Sequence, residues 1–127
     1  MGSKKLFSNR KLAELIIEAM NKRELSLLDE YLCENAVFDF PGPGIIKGKK
    51  RILIFLKVLF RKYPQLEFKI EDTIVEEKRA CVIWSNKGKS SKGESYANRG
   101  ITLVHFKDGK ITYISDYFKD TSFVNTS

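Results

Sequence analysis

The sequence is poor in the residues that build metal centres and disulfide frameworks. It holds two cysteines, Cys33 and Cys81, and one histidine, His105, among 127 residues. Neither cysteine stands in a C-x-x-C spacing, so a zinc site or a dithiol redox pair has no framework. Both thiols read as free, in a reducing compartment. No metal and no cofactor is expected. A long hydrophobic run is also missing. The most apolar segment, 51–63, is interrupted by Lys57, Arg61 and Lys62, which excludes a spanning helix there. The lysines near the N-terminus are not followed by an apolar signal core. A cytoplasmic protein without membrane contact is expected.

What is present belongs to a globular chain. Hydrophobic residues make up 43% and charged residues 31%, a balance that argues against general disorder. The length suits one domain, which is placed at 6–123, with 1–5 and 124–127 as flexible termini. The net charge is +7, and excess positive charge attracts anions. The lysines are spread along the chain, however. Lys47, Lys49, Lys50 and Arg51 gather at a helix start, and Lys87, Lys89 and Lys92 in a turn. These read as solvated surface, and nucleic acid is not expected as a partner.

Periodicity divides the chain in two. Leu12, Leu15, Ile16, Ala19 and Met20 share one helical face, with Ser8 or Asn9 as the cap. A short second helix is predicted over 26–32, with Ser26 capping, Asp29 in the capping-box position, and Leu27, Leu28, Tyr31 and Leu32 on its buried side. A strand follows at 36–40 and ends at Pro41-Gly42-Pro43-Gly44, which reads as a fixed turn or as a mobile lid. The third helix runs over about 49–63, burying Ile52, Phe55, Leu56, Leu59, Phe60 and Tyr63, and Pro64 stops it. The period then becomes two. Runs at 66–74, 80–86, 96–106 and 110–118 are joined by a polar turn at 87–93 and a hairpin signal at Asp108-Gly109. Helices first and strands after give an α+β fold with an antiparallel meander. Its four long strands and one short strand curl around the helices and leave a cone with one mouth. By parity Thr112, Ile114, Asp116 and Phe118 share one side of the last strand, and Asn98, Gly100, Thr102, Val104 and Phe106 one side of the strand before. Parity alone does not say which side is concave.

Three phrases and their spacing carry a family likeness: Glu34-Asn35-Ala36-Val37-Phe38 before a proline; Lys62-Tyr63-Pro64-Gln65-Leu66 leading into Phe68-Lys69-Ile70-Glu71-Asp72; and Gly109-Lys110-Ile111 followed by Ser115-Asp116-Tyr117-Phe118. Together they resemble the SnoaL-like branch of the nuclear transport factor 2-like superfamily, which includes polyketide cyclases, ketosteroid isomerases, limonene epoxide hydrolases and scytalone dehydratases. The likeness runs from Leu12 to Phe123. It implies the cystatin-like cone, and it matches Asp116 to the family's pocket-facing acidic residue. The concave wall would then carry Trp84, Val82, Asn98, Thr102, Val104, Ile114, Thr112 and Phe118. It also implies a homodimer through the convex face, with Tyr113, Leu103 and Ile101 as contacts.

The family chemistries are weighed residue by residue. An isomerase base would fall at Phe40, with Asp39 one residue off and so on the opposite face. The isomerase's acid would fall at Val104 and its tyrosine near Ile16, so that activity is rejected. Epoxide hydrolysis finds Asp116, but Asn86 and Gly88 where an arginine and a second aspartate are needed. A cyclase-like carboxylate at Asp116, its pKa raised in an aromatic pocket, is the enzyme reading that stands. Asp116 otherwise reads as a structural carboxylate paired with a lysine or arginine, or bonded to Tyr96. Trp84, Phe40 and Phe55 read as ligand platforms or as core. Asn98 reads as a ligand donor or as the partner of a bulge at Gly100. Tyr96 offers its hydroxyl to a ligand or to a backbone carbonyl. His105, opposite in parity to Asp116, reads as a convex-face residue rather than a base. The leading expectation is cofactor-independent acid–base chemistry on a small hydrophobic or aromatic molecule. The alternative is a ligand-binding or protein-interaction module of the same fold.

Overall fold

A computed structural model describes residues 7–120 of the chain. The flexible termini expected at 1–5 and 124–127 lie outside the described residues, as do both expected domain bounds. The element order is α1 (Asn9–Lys22), α2 (Ser26–Tyr31), β1 (Leu32–Phe40), β2 (Gly44–Lys47), α3 (Lys49–Lys62), β3 (Glu67–Val75), β4 (Arg79–Lys89), β5 (Ser95–Lys107) and β6 (Lys110–Phe118). The fold is α+β, as expected. The six strands form one open sheet in the order β2-β1-β6-β5-β4-β3, and α1 packs across β3, β4 and β5.

Two features of the sheet go beyond the sequence reading. First, the Pro41-Gly42-Pro43 turn leads back into β2, which pairs antiparallel with β1 through Phe40↔Gly44 to Val37↔Lys47. The segment is thus a hairpin turn held by a ladder, with Gly42 at φ 101° and Gly44 at φ 79°, not a lid. β2 has only four residues, Gly-Ile-Ile-Lys, whose apolar pair is adjacent rather than alternating, so its sequence carries no strand signal. Second, β1 pairs parallel with β6, which makes the sheet mixed. The four remaining strands form the expected antiparallel meander. Asp108 and Gly109 turn the last hairpin with φ 54° and 77°, the left-handed pair that a two-residue hairpin needs.

The helices follow their apolar spacing. Ser8 caps α1 by accepting the Lys11 N–H at 3.1 Å. Its buried stripe also takes in Ala13 and Ile17, because the helix lies in the hollow of the sheet rather than on a flat face. For α2 the expected cap is corrected. Leu25 occupies the cap position, and the Ser26 hydroxyl turns back to Glu24 instead. Leu27 is exposed, while Leu28 and Tyr31 are buried. α1 is tied to β3 by a pair of hydrogen bonds: Asn21 Nδ2 donates to the Phe68 carbonyl at 3.0 Å, and the Phe68 N–H donates to Asn21 Oδ1 at 2.7 Å. α3 is anchored by Lys49, whose Nζ donates to the Asp29 carbonyl and lies 3.2 Å from the Asp29 carboxylate. Together these anchors fix both helices over the concave side.

A bulge revises the parity of β6. Phe106 pairs with Ile111 and His105 with Tyr113, so Thr112 is the extra residue. Ile111 is therefore buried on the concave side together with Ile114, and Thr112 leaves that row and donates its hydroxyl to the His105 carbonyl. No bulge occurs at Gly100, where the register with both neighbours is unbroken. Among the described residues no helix is long and apolar enough to cross a membrane.

Candidate functional site

Concave residues of β4, β5 and β6 meet where register aligns them. Val82, Thr102 and Asp116 stand in one row, and Trp84, Gly100 and Phe118 in the next. Between these strands and the helices lies a cavity of about 410 Å³. Ile16, Ile17 and Met20 of α1 and Leu56 and Leu59 of α3 form its roof. Its volume is in the range of sites for drug-sized molecules.

Of the residues singled out in sequence, Asp116, Trp84, Asn98, Thr102, Phe118, Phe40 and Tyr96 line this cavity. Val82, Val104, Ile114 and Phe55 do not. Val82, Val104 and Ile114 share the concave side but are fully buried in the core. Val104 and Ile114 lie one concave pair further along β5 and β6 than Thr102 and Asp116, and Val82 lies beside Thr102 on β4; at all three, close packing fills the space a ligand would need. Phe55 stands behind the wall, edge-on to Phe40 at 4.9 Å and Phe38 at 6.0 Å between ring centres. His105 lies on the convex side with its ring 5.0 Å from that of Tyr113. Asp39 is also on the convex side, opposite Ser115, while Phe40 lines the cavity.

A hydrogen-bonded chain runs through the buried end. Trp84 Nε1–H donates to Thr102 Oγ1 at 2.9 Å, and the Thr102 hydroxyl donates to Asp116 Oδ1 at 2.7 Å. Because Thr102 accepts from the indole, its single proton is committed to the carboxyl. Asp116 is part-exposed, and what exposure it has faces the cavity. Among the described residues no lysine, arginine or histidine pairs with it, and Thr102 is its hydrogen-bond partner. The expected bond to Tyr96 is not made. Burial pushes the Asp116 pKa up to about 7, and the Thr102 hydrogen bond opposes that rise.

Trp84 is 3% exposed and is walled by Phe68 at 5.0 Å and Phe118 at 6.2 Å between ring centres. It serves as both core and cavity wall. Gly100 makes room for it. A Cβ there would lie 2.7 Å from Trp84 Cζ2, so glycine permits the indole to cross β5 and reach Thr102. This explains the glycine that the sequence reading assigned to a bulge.

The other end of the cavity is polar. Asn98 lines it, but its carboxamide is occupied: Nδ2 donates to the Asp120 carbonyl at 2.8 Å, and Oδ1 accepts the Asp120 N–H at 3.0 Å. Tyr96 packs edge-on to Tyr63, with ring centres 5.1 Å apart. The Tyr96 hydroxyl and Asn86 Oδ1 are buried without a hydrogen-bond partner among the described residues. The sequence reading missed Tyr63 and Asn86 as wall residues. Asn86 was within reach of it, since Asn86 shares the parity of Trp84 on β4. Tyr63 follows α3, which packs on β1 and β2, and only the meeting of its last residues with the β4–β5 hairpin, where the Ser91 N–H donates to the Lys62 carbonyl at 3.0 Å, brings it to the cavity. No group of three or more His, Cys, Asp or Glu among the described residues is placed to hold a metal ion.

In sequence, the SnoaL-like domain family matches residues 13–114. No curated protein matches the chain. In structure the chain is similar to a nuclear transport factor 2-like protein of unknown function from Burkholderia pseudomallei. The TM-score is 0.79 at 17% identity, over 89% of this chain and 92% of that one. It is also similar to a putative SnoaL-like polyketide cyclase from Jannaschia, with TM-score 0.73 at 16% identity over 92% of each chain. TerC, crystallised with polyporic acid, gives TM-score 0.78 at 18% identity, over 91% of this chain and 95% of that one. At such identities the likeness concerns the fold.

Proposed function

The chain belongs to the SnoaL-like domain family, and we propose that its cavity carries out cofactor-independent acid–base chemistry on a small, largely apolar molecule. Asp116 is the proton-transferring group. The observation that carries this reading is a carboxyl group that faces an apolar cavity with no cation beside it and one hydroxyl donor on Oδ1. A structural carboxylate would be paired, because an unpaired buried charge is costly. With a pKa near 7, both its acid and base forms are populated at neutral pH.

The step that fits is proton transfer next to a carbonyl. The Asp116 carboxylate takes a proton from the carbon beside the carbonyl, and the bonding electrons move into an enolate. The resulting Asp116 acid returns the proton to another carbon of the enolate, closing an isomerisation; alternatively the enolate carbon attacks a second carbonyl of the same molecule, the ring C–C bond forms as the C=O π pair moves onto oxygen, and Asp116 protonates that alkoxide. Thr102 holds Oδ1 and leaves Oδ2 for the substrate. Trp84, Phe40 and Phe118 supply flat apolar surface for a ring system. The polyporic acid held by TerC and the polyketide-cyclase likeness favour a ring-bearing substrate here.

A homodimer through the convex face belongs to this reading. Ile101, Tyr117 and Ile74 are 39%, 58% and 58% exposed there, beside Leu103 and Tyr113. The free thiols Cys33 and Cys81 fit a reducing cytoplasm.

The test is proton exchange from polyketide-like and steroid-like ketones in deuterated water, followed by NMR. Asp116→Asn is expected to lower the exchange rate by roughly 10²–10⁴-fold while the ketone still binds. Exchange at the wild-type rate would remove Asp116 from catalysis. Ketones that bind but never exchange with the wild-type protein would leave a carrier.

A further inference from the structure

The mouth of the cavity carries charge that the acid–base chemistry does not use. Beyond Tyr96 and Asn98 the cavity opens into a groove lined by Arg23, Lys69, Lys87, Lys89, Arg99 and Lys119, against Glu67 and Asp120. None of these six cations forms an ion pair among the described residues. A concave surface with such an excess of one sign concentrates molecules of the other.

Arg23 is the built element of this mouth. It ends α1 in the left-handed conformation, φ 54°, which swings its side chain back over the segment between α3 and β3. Nη2 donates to the carbonyls of Pro64 and Leu66, and the guanidinium lies over the Phe60 ring at 5.8 Å. Nη1 is buried and has no partner among the described residues. The Tyr96 hydroxyl, on the same groove and on the cavity wall, is likewise buried without a partner. Burial first, and then its neighbour Tyr63, push the Tyr96 pKa up to about 12 against the opposing charge of Arg23, so the phenol keeps its proton and donates. Two buried donors left open on one groove call for an acceptor with more than one oxygen.

We propose that the molecule this cavity takes is an acid. It has a ring body seated against Trp84 and Phe118 and an anionic oxygen group held at the mouth by Arg23 Nη1 and the Tyr96 hydroxyl. This rests on reading the cavity as a ligand site and adds the substrate's charge and its orientation. Asp116 at the other end disfavours a second anion beside it, so the acid group can face only the mouth. Tyr96 and Thr102, the row partner of Asp116, are six residues apart on β5 (102 − 96), roughly 20 Å of strand before side-chain reach is subtracted.

Trp84 is the one tryptophan of the chain, so a single indole N–H resonance reports on the cavity. The experiment titrates 2-naphthoate and its uncharged isostere 2-naphthamide, following that resonance in wild type, Arg23→Gln and Tyr96→Phe. Naphthoate is expected to bind at least about tenfold more tightly than naphthamide, with the advantage shrinking in salt. Each substitution should remove most of that advantage, because naphthoate loses a charge-assisted bond where naphthamide loses at most a neutral-acceptor one. Equal affinity of the two probes for wild type overturns the proposal while leaving the cavity as a ligand site. Binding of neither probe sinks both readings. Since Arg23 also supports two carbonyls, the wild-type comparison and Tyr96→Phe decide the matter if Arg23→Gln fails to fold. A short single-stranded oligonucleotide that binds the groove while naphthoate shows no advantage would assign the basic rim to nucleic acid and overturn the proposal.

Discussion

Trp84 and Gly100 stand opposite each other on β4 and β5, and a Cβ on Gly100 would lie 2.7 Å from Trp84 Cζ2 and 2.5 Å from the Tyr117 carbonyl oxygen. Neither neighbour can yield. One is backbone, and the other is an indole fixed by its bond to Thr102. Gly100→Ala is therefore expected to destabilise the fold by about 1–3 kcal/mol, seen as a lower urea midpoint with an unchanged slope. An unaltered midpoint would mean that the indole has room to spare.

Asp116 makes stability depend on pH with a definite sign. Its pKa rises from 3.8 to about 7 on folding, so the folded state holds the proton where the unfolded state has lost it. The stability due to this group is complete below its unfolded value. It declines as pH climbs toward the folded value, and is lost above it. The swing is roughly 4 kcal/mol at most, less where cavity water reaches the carboxyl. Asp116→Asn should abolish that slope. The variant is expected to match wild type near pH 4 and to exceed its urea midpoint at pH 8. Parallel curves for the two proteins across this range would contradict the buried, unpaired carboxyl.

Thr102 acts on both of its partners. Thr102→Val leaves the buried Trp84 N–H without an acceptor, at about 1–3 kcal/mol, and takes from Asp116 the hydrogen bond that lowers its pKa. The pH at which stability levels off should therefore move upward in Thr102→Val. Thr102→Ser keeps the hydroxyl and should restore the wild-type profile, at about 1 kcal/mol for the lost methyl. Carboxyl NMR titration of Asp116 in the three proteins checks the order.

The convex face gives a further test. Ile101 lies in the middle of the sheet, in the row of Ile83 and Tyr117, with Leu103 two residues along β5. Ile101→Lys should convert the proposed dimer to a monomer in sedimentation, with naphthamide binding retained. A wild-type protein that sediments as a monomer at high concentration would remove the dimer.

Several parts of the site were open to inspection in the primary structure. Alternation grouped Asp116 with Phe118 on β6 and Thr102 with Asn98 on β5, and the family resemblance, not the period, pointed those sides inward and, by aligning Phe40 with the isomerase base, set Asp39 opposite to it. What period two could not supply was depth. Val82, Val104 and Ile114 have the right parity, yet close packing, not space, faces them. Thr112 was misplaced because a bulge leaves no mark in a run of apolar and hydroxyl residues. β2 was missed because its four residues are a strand only by pairing with β1. Arg23 gave no sign at all. Its role comes from a left-handed helix end, and its partners lie about forty positions away in the chain, at Pro64 and Leu66.

The order of apolar and polar residues alone determined the helices, the four-strand meander and which residues share a side of β6 with the acidic residue, because each depends on a local period that a strand or helix must obey. Tertiary structure alone decided that a hollow survives beside Asp116, that no cation among the described residues reaches the carboxyl, and that Arg23 and Tyr96 stand near the mouth with buried donors that no described residue satisfies. Those are matters of distance between segments remote in sequence, fixed by twist, register and the seating of two helices, and no local pattern encodes them.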